Sequence, residues 1–278
     1  MKKISIGSKL IVLFIITMAF VVWGYCQEVQ NVPVRPVKVA GGVYWLGDFE
    51  CNIAASVGTD GVLIVDSGDE SVTDKVRSAL MQISKEPVRI IMNTHFHFDH
   101  VGGNEAFARD GALIISQDKA RERMTMEWKP REILGVQWPN LPPYSTPALA
   151  KVCYAESLTV YFNGEEIEAI HLPAAHSDGD VVIRFKRANV VHTGDLYLSN
   201  GFPVIDLDTG GTISGYLAGI DKIVSLCDDN TVAIPGHGAV SGREGWRSYR
   251  EMLAAARDRI EGLIKERKTL SSHLKTLL

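Results

Sequence analysis

The sequence predicts an α/β fold in which two β-sheets pack together with helices outside. Three observations carry that reading. Short apolar or alternating runs bounded by Gly, Pro and Asp recur along the chain and read as strands. Segments with helical apolar spacing fall between them in both halves of the chain, which implies packed layers. The composition, 46% hydrophobic and 22% charged over 278 residues, suits one large globular domain. No internal period is present, and interspersed charges of both signs with 8% aromatic residues exclude a low-complexity chain.

The N-terminus reads separately. Lys2, Lys3 and Lys9 precede an apolar run from Leu10 to Trp23, interrupted by Thr17 and followed by Gly24, Tyr25 and Cys26. A basic start, a short apolar stretch and small residues near a cleavage point describe a signal peptide over 1–26. The run is shorter than the roughly 20 apolar residues of a comfortable membrane span, and an uncleaved anchor is the competing reading. Acylation at Cys26 is disfavoured by Trp23 and Tyr25 before it. The expectation is a periplasmic or secreted protein with no stable membrane span after cleavage. Losing three lysines and no acidic residue moves the formal charge from −4 to −7. So acidic a protein is a poor partner for nucleic acid, which attracts basic patches. Cys26, Cys51, Cys153 and Cys227 show no metal spacing; they read as buried thiols or as one disulfide with an odd thiol left over.

Residues 27–36, with Pro33 and Pro36, read as a linker, and 37–278 as the folded domain. Gly42 to Leu46, Ile53 to Val57 and Val62 to Asp66 read as strands, with a turn at Thr59-Asp60. A helix is expected from about Ser71 to Ser84, with Val76, Leu80 and Ile83 on one face, and then a strand from Val88 to Asn93. A helix near Asn104 to Arg109, a strand at Leu113 to Ser116 and a helix from Asp118 to Trp128 come next. Trp128 to Ala148 holds five of the eleven prolines, which excludes a regular helix or central strand. A loop this long is either a rim over an active site or a surface excursion. Beyond it, Leu158 to Tyr161, Glu166 to Leu172, Val181 to Phe185, Val190 to Thr193 and Thr231 to Ile234 read as strands. Helical spacing marks Ile213 to Val224 and a closing helix from Trp246 to near Lys268.

The sharpest motif is His95-Phe96-His97-Phe98-Asp99-His100, directly after the strand that ends at Asn93. Alternate residues of an extended segment project to one side, so His95, His97 and Asp99 can converge, with His100 available as the chain turns at Gly102-Gly103. From eight histidines and the aspartates of this chain, such a pattern arises by chance in about four of ten thousand sequences. Three imidazoles and a carboxylate so close together are costly to bury without a metal.

The motif resembles that of the metallo-β-lactamase-fold superfamily, and later segments match that family one by one. His176 lies in Pro173-Ala-Ala-His-Ser-Asp-Gly-Asp180, Asp195 in His192-Thr-Gly-Asp195, and His237 in Ile234-Pro-Gly-His-Gly238, each after a strand. The likeness covers about Val37 to Lys268. It implies an α/β four-layer αβ/βα sandwich of two mixed β-sheets flanked by helices. His95, His97 and His176 would hold a first metal ion and Asp99, His100 and His237 a second, with Asp195 bridging. Val65-Asp66-Ser67-Gly68 resembles an early acidic turn, whose Asp66 would orient the ligand loop without binding metal. Nitrogen and oxygen donors without a thiolate suit two Zn²⁺ per chain, and Fe or Mn fit the same set.

The resemblance implies a hydrolase in which Asp99 handles the proton while activated water attacks the carbonyl of a small molecule. Ester, lactone, thioester and β-lactam all remain open. The two-metal β-lactamases of this superfamily have a cysteine, or no side-chain ligand, where this chain has Asp195; thioesterases, lactonases and hydroxyacylglutathione hydrolases have an aspartate. The lactonase Asp-x-x-Tyr has no full counterpart, since Leu198 stands at its third place, although Tyr197 is a candidate substrate contact. Phe49, Trp138, Tyr144 and the segment from Tyr197 to Phe202 are further pocket candidates against a reading as plain core. His171 reads as a strand residue near the core and His273 as a solvated tail residue, while His192, three residues before Asp195, has support of the ligands only as its lesser reading. Two other classes stand beside the hydrolase: an iron-dependent oxidoreductase of the persulfide dioxygenase kind, and a non-enzymatic periplasmic metal or redox accessory protein.

Overall fold

The computed structural model describes residues 34–266, apart from 48, 50, 132–137 and 139. The chain divides into two units, Met1–Val34 and Arg35–Leu278. The strands and helices of the described residues all belong to the second unit. The expected signal segment and the tail with His273 lie outside the described residues. Among the described residues no helix is long and apolar enough to cross a membrane.

The first sheet takes its seven strands in chain order: β1 (Val37–Ala40), β2 (Val43–Leu46), β3 (Ile53–Gly58), β4 (Gly61–Val65), β5 (Val88–Met92), β6 (Leu113–Gln117) and β7 (Val152–Tyr154). Pairing is antiparallel from β1 to β4 and parallel from β4 to β7. The change follows from the connections. A tight turn with Gly61 at φ 111° closes β3 on β4, whereas parallel neighbours require a crossover. Helix α1 (Thr73–Leu80) supplies the first crossover, and the short helices α2 (Phe98–Val101) and α3 (Asn104–Arg109) supply the second. β4, paired on both sides, is buried along its whole length, as central strands covered on both faces are. Helix α4 (Asp118–Met124) follows β6.

The second sheet runs in the order β12-β11-β10-β9-β8, from β8 (Ser157–Phe162), β9 (Glu165–His171), β10 (Val181–Phe185), β11 (Val190–His192) and β12 (Val232–Ile234). Its pairs are antiparallel except β11 with β12, between which helix α5 (Ile213–Ser225) intervenes. Helix α6 (Arg243–Lys265) closes the described chain. Alternation along β10 sorts the two cores. Val181, Ile183 and Phe185 meet Val43, Leu63, Val65 and Met92 of the first sheet. Val182 faces the other way, toward Leu217 and Ile220 of α5 and Trp246 and Leu253 of α6. The result is two mixed sheets, face to face, flanked by helices.

Differences from the sequence reading have local causes. A 3₁₀ turn at Glu70–Val72, whose N-terminus Asp69 caps by accepting from Ser71 N, takes the first residues of the expected Ser71 to Ser84 helix. The helix expected to reach Trp128 stops at Met124, because the Trp128 backbone instead exchanges two 2.9 Å hydrogen bonds with Leu141 across the proline-rich excursion. The ligand motif is extended only as far as His97. The chain enters α2 at Phe98, so Asp99 and His100 lie on a helical turn and not on a continued strand.

Candidate metal centre

All seven predicted ligand residues meet at one edge between the sheets. His95 and His97 follow β5, Asp99 and His100 lie in α2, and His176, Asp195 and His237 follow β9, β11 and β12. They fall into two groups, His95, His97, His176 and Asp195, and Asp99, His100 and His237, within each of which one donor atom per residue lies within 4.8 Å of the others. Asp195 faces both groups: its Oδ2 is 3.7 Å from His176 Nε2, while its Oδ1 is 3.1 Å from His100 Nε2 and 3.3 Å from His237 Nε2.

Outer partners fix which nitrogen of His95, His97, His100 and His176 faces inward. Asp66 is fully buried and accepts from Thr94 N at 2.7 Å, from Thr94 Oγ1 at 2.7 Å and from His100 Nδ1 at 2.8 Å. Thr94 thereby spends its hydroxyl proton on Asp66, so the contact between its oxygen and His95 Nδ1 at 3.0 Å makes that nitrogen the donor. His176 donates Nδ1–H to Val204 O at 2.6 Å, and His97 donates Nε2–H to Asp206 Oδ2 at 3.1 Å. His95 and His176 therefore turn a bare Nε2 toward the centre, and His97 and His100 turn Nδ1 and Nε2 there. His95 Nε2, His100 Nε2 and Asp195 Oδ1 are buried there without a hydrogen-bond partner. The two short contacts between His100 Nε2 and the carboxylates of Asp99 and Asp195 lack hydrogen-bond alignment. Buried donor atoms gathered in this way, without partners of their own, are the arrangement a cation requires.

Without a cation, the centre polarises strongly. Burial, and then the charge of His100, hold His95 well below the usual imidazole range, and burial with the neighbouring His97 brings His176 down to about 4. Against burial, the carboxylates of Asp195 and Asp99 push His237 up to about 10, and Asp99 holds His100 well above its ordinary value. Asp99 and Asp195 are in turn held well below the carboxylate range, against burial, by His100 and His237.

The supports include residues that no sequence motif announced. Asp206 accepts from His97 and from the Trp128 indole, and its other oxygen accepts from Asp208 N and Thr209 N. Asn52 holds the His237 loop, donating Nδ2–H to Pro235 O at 2.9 Å and to Gly238 O at 2.8 Å. His192 is buried and bonds to Asn52 O and Gly194 N, a support and not a ligand. His171 is half-buried at the end of β9 and reaches Asp178 O. A Cβ at Gly236 would stand 2.1 Å from Asp195 Oδ1, so only glycine lets this loop approach the carboxylate.

A cavity of 280 Å³ opens beside the two groups, lined by Phe98, Trp128, Trp138, Leu198 and Val204 with the inward side chains. Trp128 and Trp138 place the proline-rich stretch at the rim. Tyr197 is a correction. It is 5% exposed and packs its ring 5.1 Å from that of Tyr249, with its hydroxyl accepting from Ser241 Oγ. It belongs to the outer core, and its neighbour Leu198 takes the cavity position, since alternate residues of an extended segment face opposite ways. Phe49 and Tyr144 do not line this cavity either.

The family model described as Metallo-beta-lactamase superfamily matches residues 46–259. The chain belongs to that superfamily. Among curated relatives, it is 24% identical over 216 residues to the α subunit of a 2,4-dinitroanisole O-demethylase from Nocardioides sp. (strain JS1661), covering 77% of this chain and 60% of that one. It is 22% identical over 240 residues to an acyl-coenzyme A thioesterase from Gallus gallus, covering 76% and 82%. It is 24% identical over 236 residues to a linear primary-alkylsulfatase from Pseudomonas sp. (strain ATCC 19151), covering 72% and 43%. The chain thus spans less than two thirds of the demethylase subunit and of the sulfatase. Among solved structures, a metallo-β-lactamase from Pontibacter korlensis superposes with a TM-score of 0.64 at 16% identity, covering 80% of this chain and 99% of that one. A stereoselective inverting sec-alkylsulfatase from Pseudomonas sp. gives 0.63 at 17%, covering 84% and 43%. These likenesses show a shared fold.

Proposed function

We propose that the protein is a hydrolase that holds two zinc ions and cleaves an ester, lactone, thioester or β-lactam type substrate. The observation that carries this reading is a pair of facing nitrogens, His97 Nδ1 and His176 Nε2, 2.9 Å apart. Their other nitrogens are engaged by Asp206 and Val204 O, so at most one proton lies between two facing ring nitrogens, a place that a cation shared by the same donors can take.

In this reading His95, His97 and His176 hold one ion, Asp99, His100 and His237 the other, and Asp195 both. Bound there, the ions supply Lewis acidity and lower the pKa of water from about 15.7 toward 7. Fe or Mn fit the same donors. Asp99 lines the cavity, so its carboxylate would be the group placed to take up the proton of the attacking water and return it to the leaving group. Asp66 and Asp206 keep His100 and His97 in the orientation this requires. Phe98, Trp128 and Trp138 shield one side of the cavity from water and hold the apolar part of the substrate. Likeness to a thioesterase and a sulfatase supports hydrolysis, and the reading includes export by residues 1–26 to the periplasm or beyond.

The test assays zinc-loaded and metal-stripped protein against an aryl ester, a lactone, a thioester and a β-lactam. Zinc-dependent turnover of at least one supports the reading. Retained iron with oxygen consumption, or bound metal with no turnover of any class, overturns it in favour of the oxidoreductase or the accessory protein.

A further inference from the structure

We propose that the cavity beside the metal centre selects uncharged substrates with a flat apolar group and turns away those that carry an anion remote from the reacting bond. The inference rests on the hydrolase reading and names what that site accepts. Its apolar wall is aromatic. Phe98 links two indoles, with ring centroids 6.4 Å from Trp128 and 6.3 Å from Trp138, and Trp128 lies 5.0 Å from the His97 ring. Aromatic faces in such mutually tilted arrangements favour another flat ring over a hydrated ion.

The charge of the lining points the same way. Apart from the side chains assigned to the ions, its ionisable members are Asp206 and Asp208, both acidic. No lysine or arginine lines the cavity among the described residues, and 132–137 and 139 include none in sequence. The two arginines that adjoin the lining are already paired, Arg131 with Asp208 of the lining itself and Arg123 with Asp178 outside it. Arg131 binds Asp208 through its backbone N at 3.0 Å and Nε at 2.8 Å, and Arg123 binds Asp178 through Nε at 3.2 Å and Nη2 at 2.6 Å. A carboxylate, sulfate or phosphate entering past the reacting bond would lose its water and find no free cationic side chain, a cost that an uncharged group avoids.

The test uses zinc-loaded protein and a matched pair, phenyl acetate and 4-acetoxybenzoate, each rate normalised to uncatalysed hydrolysis. The expected kcat/KM favours the neutral ester by at least about tenfold, the scale of one uncompensated charge. Asn200→Lys, which adds a cation to the lining, narrows that ratio by about the same factor, and Trp138→Ala raises KM for phenyl acetate. A ratio near one, or reversed, overturns the inference. If neither ester turns over, the non-hydrolysed analogues acetanilide and 4-acetamidobenzoate decide it by quenching of tryptophan fluorescence. Weaker binding of the anion supports the selection while the hydrolase reading fails; equal or tighter binding overturns the selection itself.

Discussion

His97 and Trp128 donate to one oxygen: Asp206 Oδ2 accepts His97 Nε2–H at 3.1 Å and the Trp128 indole N–H at 3.2 Å. The proline-rich stretch and a metal-facing imidazole are thus fastened to the same carboxylate, which His97 holds down to about 2 against burial. Asp206→Asn weakens the orientation of His97 and lowers metal affinity by about 10–100-fold, the usual scale for an outer partner of a ligand. Trp128→Phe removes one donor, keeps the ring, and costs less than about tenfold. Competition with a chromophoric chelator measures both, and an Asp206→Asn affinity equal to that of the unaltered protein contradicts the assignment.

Asp66 ties the ligand loop into the fold. It sits at φ 64°, a left-handed conformation uncommon outside glycine, asparagine and aspartate, and its carboxylate takes three buried hydrogen bonds. Asp66→Ala leaves three donors unpaired, at roughly 1–3 kcal/mol each, so the loss in stability is on the order of 3 kcal/mol or more. Asp66→Asn tolerates the same backbone and loses less. Denaturant unfolding of the metal-free variants checks the order.

Proton release should accompany metal uptake. In the metal-free protein His237 is raised to about 10 and His100 well above its ordinary value, so both are protonated near pH 7 and must lose a proton to become ligands. Affinity for zinc therefore rises with pH across the neutral range. The same shifts fix a window for the metal-free fold. The raised pKa of His237 contributes stability that is full below about 6.5 and is lost as pH rises through about 10. The depressed Asp99 and Asp195 contribute above about 3.8, and that share is lost as pH falls through their folded values. Calorimetric titration in buffers of different ionisation enthalpy reads the protons; a heat independent of buffer would contradict the charges described.

Tyr197 supplies a negative control. Its ring lies in the outer core and its hydroxyl accepts from Ser241, so Tyr197→Phe costs about 1 kcal/mol of stability and leaves KM unchanged for any substrate the protein turns over. A several-fold rise in KM at unchanged stability would return Tyr197 to the pocket.

His95, His97, Asp99 and His100 were legible because chemistry constrains them locally, several imidazoles and a carboxylate in six residues having few other uses, whereas His176, Asp195 and His237 were found through the resemblance to the family. The layered fold was also legible locally, since β10 and β4 announce themselves by composition. What escaped depends on long-range placement. Asp206 and Asn52 are ordinary polar residues until folding brings them beside His97 and the His237 loop. The edge strands β1 and β7 are short and partly exposed, so no apolar run marks them. Tyr197 was misplaced because register, which spacing from Asp195 alone does not set, decides which face of the segment meets the cavity.

Metal analysis of the native protein, purified without added metal and assayed for hydrolysis before and after chelation, tests the centre most directly. Two ions per chain, with turnover lost on chelation and regained with zinc, are the predicted result. A metal-free protein, or turnover indifferent to chelation, would contradict it.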